Sequence, residues 1–295
     1  MLTLLQELDS SLNNTYFLYF VVGTIGLIVG SFLNVVIYRL PIMLQTSWRE
    51  ECQIFLDIKS EISTPKTVFN LALPHSHCPT CKCPIKPHQN IPVLSYLFLK
   101  GRCANCSAAI SMRYPVIEVL TALLSILMAL HFGYSIQTLF ALILIWSLIC
   151  LSFIDIDHQL LPDNITQPLL WIGLLLSVFH IFSDASSSIF GAIFGYLSLW
   201  TVFKVFKRLT GKDGMGYGDF KLLAVFGAWL GWQTLPLIIL LSSLVGTVIG
   251  LIMISLGKRE HSTPFPFGPY LAIAGLLALL WGPELNQFYF SSFGL

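Results

Sequence analysis

Apolar residues in this chain are grouped in long blocks, not spaced at period 2 or 3.6, and blocks of this length point to membrane-spanning helices. The first block covers 16–38 without a charge. Others follow at roughly 114–132, 135–154, 165–182, 187–206, 220–233, 235–256 and 268–287. All are expected to be helical, because backbone exposed to lipid must satisfy its own hydrogen bonds. The pattern therefore predicts an all-α polytopic membrane protein of about eight transmembrane helices. The sixth block is the weakest, being short and carrying Lys221 near its start. Acidic Glu7 and Asp9 precede the first block, with no basic segment, so it reads as a retained helix rather than a cleaved signal peptide.

The distribution of positive charge gives the chain a sidedness. With the N-terminus outside, the inside segments are 39–113, 155–164, 204–221 and 257–267, and they hold all 16 Lys and Arg residues. The positive-inside rule then gives eight spans with both termini on the outer side. The one long polar interruption, 41–113, falls on the cytoplasmic side. The expected domain plan is an N-terminal segment with helix 1 at 1–40, a cytoplasmic domain at 41–113, and a membrane core of helices 2–8 at 114–295.

Composition narrows the function. Of 295 residues, 55% are hydrophobic and 11% charged, with net charge +1. A soluble domain carries roughly 25% charged residues. So few charges exclude a disordered chain, a nucleic-acid binder with a strong basic field and an ordinary soluble enzyme; membrane lipids are an expected partner and nucleic acid is not.

Five of the seven cysteines lie between positions 78 and 106. Cys78 and Cys81 form one C-x2-C, Cys103 and Cys106 a second, with 21 residues between. Two such knuckles supply the four thiolates of a tetrahedral zinc site. Four protein thiolates leave no position for a catalytic water, so the expected zinc is structural and compensates for a small core. Disulfides are disfavoured in a reducing cytoplasm. Cys83 is one residue out of register and reads as a spare thiol or a neighbour of the site. Cys52 and Cys150 read as packing residues, and His75, His77 and His88 as solvated side chains.

Carboxylates are scarce, and two stand directly against apolar blocks on the same side of the membrane. Asp155 follows the third block, and Asp219 ends the run Gly216-Tyr217-Gly218-Asp219 before the sixth. An ionisable group in a span costs about 2.5–3.5 kcal/mol on insertion scales and marks a functional candidate. If the helices meet, a pair of carboxylates sharing one proton can do aspartic-protease chemistry. Gly214, Gly216 and Gly218 would then supply dihedrals closed to other residues and close approach of a substrate backbone. The competing reading is that these are interhelical loops whose carboxylates cap helices. Spacing alone supports both. Asp157 and Asp163 read as loop or cap residues and Asp213 as a solvated loop carboxylate.

At these residues the chain resembles the type IV prepilin peptidases, bifunctional leader peptidases and N-methyltransferases of the GxGD class of intramembrane aspartyl proteases. The resemblance rests on Gly30-Ser31-Phe32-Leu33-Asn34-Val35-Val36-Ile37-Tyr38-Arg39-Leu40-Pro41, the double cysteine knuckle, Ser111-Met112-Arg113-Tyr114-Pro115-Val116-Ile117-Glu118 and both Asp motifs. It implies that Asp155 and Asp219 are the catalytic pair, supported by Gly216 and Gly218. It also implies a bacterial inner-membrane enzyme. Such an enzyme cuts the leader from type IV prepilins and type II secretion pseudopilins on the cytoplasmic side, then methylates the new N-terminal residue from S-adenosylmethionine. The residues themselves announce no S-adenosylmethionine pocket; by resemblance the cytoplasmic domain, with Arg113 and Glu118 at its edge, is the expected place. Two other readings remain from the sequence: a non-enzymatic membrane assembly factor with a zinc-stabilised partner-binding domain, and a transporter using the Asp residues as a proton relay. The Gly-x-Gly-Asp turn beside a helix end favours the peptidase over both.

Overall fold

The computed structural model describes residues 15–57, 69–255 and 266–293, and within them each of the eight apolar blocks holds a helix. The long helices are α1 (Thr15–Phe55), α3 (Arg113–Phe132), α4 (Ile136–His158), α5 (Asp163–Val178), α6 (Ala185–Thr210), α7 (Tyr217–Leu230), α8 (Leu235–Ser255) and α9 (Gly268–Phe293). A short α2 (Leu94–Phe98) lies between α1 and α3. Five helical stretches are long and apolar enough to cross a membrane: Tyr16–Phe55, Arg113–Phe132, Ile136–His158, Ala185–Thr210 and Trp232–Met253. The last takes in a 3-10 turn ahead of α8. α5 and α7 are shorter, and α9 is interrupted by a kink at Trp281. Among the described residues the only strand-like pairings are isolated bridges, His77 with Pro84 and Arg102 with Ala109. The described residues thus form an all-helical structure with several helices long and apolar enough to cross a membrane.

The first helix does not stop where the apolar block stops. It continues past Tyr38 to Phe55, through Arg39 and Pro41. Arg39 reads as a span end in the sequence, yet it is buried. Its guanidinium donates to the backbone carbonyls of Asn70 (2.8 Å), Leu71 (3.4 Å) and Pro74 (2.6 Å) and lies over the Phe69 ring. Carbonyl oxygens from the segment after the helix replace the water that the charge would otherwise need. Cys52, expected to pack, is exposed on this extension; Cys150 is buried as expected.

The chain divides into two compact units, Met1–Trp146 and Ser147–Leu295, with the division inside α4. In the first unit α1 lies against α3. A side chain at Gly30 would come within 2.7 Å of the Glu118 Cα and one at Gly26 within 2.8 Å of the Ala122 Cα, so this G-x3-G serves contact inside the chain. Ser125 receives the Trp146 indole N–H at 2.9 Å and donates to the Thr121 carbonyl at 2.6 Å, which satisfies polar groups where lipid offers no partner.

In the second unit α7 is the central element. From Asp219 to Trp229 every residue except Lys221 is buried. α6 meets it along Gly191, Gly195, Leu199 and Phe203, an i, i+4 seam whose glycines bring the two backbones into direct contact at Gly191 and Gly227. On another side Trp229 donates its indole N–H to the Leu169 carbonyl of α5 at 2.8 Å. A small-residue seam of this kind is how helices associate in lipid, where no hydrophobic driving force separates them from the solvent.

Candidate active site and metal centre

α7 begins at Tyr217, with Gly216 as its N-cap residue, so Asp219 stands in the first helical turn rather than in a loop. Asp155 lies inside α4, one turn before that helix ends at His158. Both are buried, at 5% exposure for Asp155 and 7% for Asp219. Their carboxylates lie close enough that the charge of Asp155 acts on Asp219. Two acids 64 residues apart in sequence are thus brought together within the second unit.

Each carboxylate is held by a backbone amide. Asp155 Oδ2 accepts the Gly268 N–H at 2.9 Å, and Gly268 is the first residue of α9. The Asp219 carboxylate reaches back to the Gly216 amide. The capping and dyad readings therefore meet in one arrangement: helix N-termini orient the acids while leaving further lone pairs on each free.

The glycines work by space. None of Gly214, Gly216 and Gly218 has a positive φ, which corrects the expectation that they supply dihedrals closed to other residues. A side chain at Gly218 would come within 2.7 Å of Leu161 Cβ, and one at Gly268 within 3.1 Å of Leu161 Cδ2 and 2.8 Å of Asp155 Oδ2. Leu161 thus packs against both glycines, one beside each acid. Neither Gly268 nor Leu161 stood out in the sequence; the run Pro266-Phe267-Gly268-Pro269 at the head of the last block was the available signal.

The other acids separate from the pair. Asp163 is the first residue of α5, where both carboxylate oxygens receive Lys221 Nζ at 2.6 and 2.7 Å. That contact explains a lysine at the start of the sixth block: it faces α5, away from the paired acids. Asp213 pairs with Lys207 at 2.6 Å, both largely exposed. Asp157 is exposed in the last turn of α4.

In the first unit the four expected thiols converge. The sulfurs of Cys78, Cys81, Cys103 and Cys106 all lie within 4.8 Å of one another, with Cys78 to Cys106 at 3.8 Å and Cys81 to Cys103 at 4.0 Å. A tetrahedron with metal–sulfur bonds of ~2.3 Å sets its sulfurs about 3.8 Å apart, so the cluster fits such an ion. The two knuckles share one hydrogen-bond pattern. Lys82 N–H donates to Cys78 O and Cys78 N–H to Cys83 O; in the second, Ser107 N–H donates to Cys103 O and Cys103 N–H to Ala108 O. Lys82 and Ser107 occupy the same left-handed position, at φ 59° and 57°. The Cys81 thiol is held down to about 6, first by the Cys83 amide and then by Asn105. Cys103 is lowered by the amides of Cys106 and Asn105. Cys83 stays outside the cluster and is raised, chiefly through its contact with Cys81; its sulfur accepts from Asn105 Nδ2 at 3.0 Å. His75, His77 and His88 are exposed.

Residues 24–132 match the family described as bacterial peptidase A24 N-terminal domain, and residues 142–251 match the type IV leader peptidase family. Three relatives carry the name prepilin leader peptidase/N-methyltransferase. The one from Pseudomonas aeruginosa is 55% identical over 92% of this chain and 94% of its own. That from Aeromonas salmonicida is 51% identical over 99% of both chains, and that from Legionella pneumophila 48% identical over 94% and 96%. The chain belongs to the type IV leader peptidase family. No solved structure matches it.

Proposed function

We propose that this protein is a prepilin leader peptidase and N-methyltransferase of the bacterial inner membrane. It cuts the leader from type IV prepilins and type II secretion pseudopilins on the cytoplasmic side, then methylates the new N-terminus from S-adenosylmethionine. The observation that carries the peptidase reading is the convergence of Asp155 and Asp219, each buried and each held by one amide.

Two neighbouring buried carboxylates cannot both ionise cheaply, so in this reading one of them carries a proton. The ionised member takes a proton from water as the water oxygen bonds to the scissile carbonyl carbon. The protonated member gives its proton to the carbonyl oxygen. As the C–N bond breaks, the leaving amine takes the proton that the first acid had received from water. A hydroxyl proton of the tetrahedral diol returns to the second acid, so the pair again holds one proton. Gly216 and Gly268 hold the acids through their amides, and Gly218 gives Leu161 room beside Asp219. Cleavage of a full-length precursor in detergent, followed for wild type and for each Asp→Asn variant, tests the assignment.

Eight spans with both termini periplasmic remain the proposed plan, supported by the placement of every Lys and Arg in the inside segments. The same plan gives 1–40, 41–113 and 114–295 as the N-terminal, zinc-binding and catalytic segments. Cys78, Cys81, Cys103 and Cys106 would hold zinc, which supplies a cross-link and no chemistry at the acids. The relatives' names give N-methyl transfer, and the family resemblance supplies S-adenosylmethionine as its methyl donor.

A further inference from the structure

Besides the aspartate pair, one further carboxylate is buried among the described residues. Glu118, in α3 of the first unit, is 8% exposed. Gly30 lets α1 approach its Cα, so its side chain emerges between the two helices. One carboxylate oxygen, Oε2, accepts the Val93 N–H at 2.7 Å, and the group also receives the Ser31 hydroxyl. Both donors are neutral. Asn34, one turn further along α1, gives its amide to the carbonyls of Gly30 and Tyr114 instead. A carboxylate desolvated against neutral donors is expensive, and such a group in a membrane protein calls for a cationic partner.

The donor at Oε2 is itself unusual. Val93 has φ 59° and ψ −49°, and the Leu94 N–H donates across it to the Pro92 carbonyl at 2.6 Å. This is a γ-turn of the strained hand, on a β-branched residue, and such strain gathers at ligand clamps. The turn is the neighbour that yields most readily to a competing donor. Three separate segments, α1 at Ser31, α3 at Glu118 and the Val93 turn, thus converge on one acid.

We propose that Glu118 is the catalytic residue of methyl transfer: its carboxylate binds the new α-ammonium group of the cleaved subunit, displacing the Val93 amide, and takes one proton from it. This rests on the methyltransferase reading above. The freed amine lone pair then forms a bond to the methyl carbon of the sulfonium donor as the carbon–sulfur bond breaks, its electron pair staying on sulfur. The product leaves as a methylammonium, and the proton on Glu118 passes to water.

The test uses full-length protein in detergent with two substrates, uncut precursor and already cleaved subunit. Glu118→Gln keeps an acceptor for Val93 and Ser31 but cannot take the proton. It should cut precursor within about twofold of wild type and methylate cleaved subunit about 100-fold more slowly or worse, the range for losing a general base. Wild-type protein should also bind cleaved subunit about tenfold more tightly than the same subunit acetylated at its N-terminus, and Glu118→Gln should lose that preference. Near wild-type methylation by Glu118→Gln overturns the proposal. Loss of cleavage along with methylation overturns it in favour of a structural role, and equal wild-type binding of free and acetylated subunit overturns it independently of any variant. A wild-type protein that cleaves without methylating defeats the bifunctional reading instead, before any variant is made.

Discussion

Asp155 and Gly268, 113 residues apart, share a hydrogen bond in which the first amide of α9 donates to the buried carboxylate at 2.9 Å. The contact fixes the Asp155 rotamer from outside its own helix. A β-carbon at position 268 would meet the same oxygen at 2.8 Å. Gly268→Ala should therefore move the carboxylate by a few tenths of an ångström or more. Cleavage is expected to fall about 10–100-fold, the cost of slight misplacement at a reacting group. Metal content should be unchanged, and a Gly268→Ala protein that cuts precursor at the wild-type rate would remove this contact from the mechanism.

Neither acid of the pair can both accept and donate the proton. Asp155→Asn and Asp219→Asn should each reduce leader cleavage by at least ~1000-fold, and the double variant should be no worse than either single one, as for residues acting as a unit. Both should still methylate a subunit supplied already cleaved. Precursor cleavage and mature-subunit methylation, measured side by side, check both statements.

Zinc should bind at one ion per chain and should be lost on Cys→Ser change at 78, 81, 103 or 106. Cys83→Ser should keep it, because Cys83 accepts from Asn105 beside the cluster instead of joining it. The Cys81 thiol, held at about 6 against an ordinary 9.0, is already ionised at neutral pH. A thiol lowered in this way favours the folded, ligating form above its own value and loses that advantage as pH falls through it. Protons compete for all four thiolates. Against the Ala108 amide, burial and the other cluster thiols hold Cys106 up, while Cys81 is held down. Metal content should therefore decline progressively on acidification below about pH 7, as read by elemental analysis after dialysis.

Trp229 is fully buried, and its indole N–H satisfies the Leu169 carbonyl of α5. Trp229→Phe keeps an aromatic ring but leaves that carbonyl without its indole donor. The expected cost is about 1–3 kcal/mol. Thermal unfolding in detergent should show a lower midpoint with zinc content intact, since the metal lies in the other unit.

A reporter fused after Leu295 should read as periplasmic and one inserted near residue 60 as cytoplasmic, because all 16 basic residues fall in the proposed inside segments. A cytoplasmic C-terminus would mean an odd number of spans and would sink the eight-span plan.

The sequence by itself determined whatever depends on local composition and spacing. Hydropathy blocks located the eight long helices because each is apolar along most of its length. The Cys-x2-Cys pairs located the four-thiol cluster because each knuckle is a local turn. The Gly-x-Gly-Asp run beside an apolar block marked Asp219 because a carboxylate there is costly. Only tertiary structure decided what depends on how helices pack. That Arg39 continues α1 required the carbonyls of Asn70, Leu71 and Pro74 beside it. That Lys221 serves Asp163 and not the paired acids required α5 to lie on one side of α7. The role of Gly268, and the finding that Gly216 and Gly218 provide room instead of unusual dihedrals, depend on Leu161 and Asp155 arriving from elsewhere in the chain. Such contacts join residues tens of positions apart, and no periodicity records them.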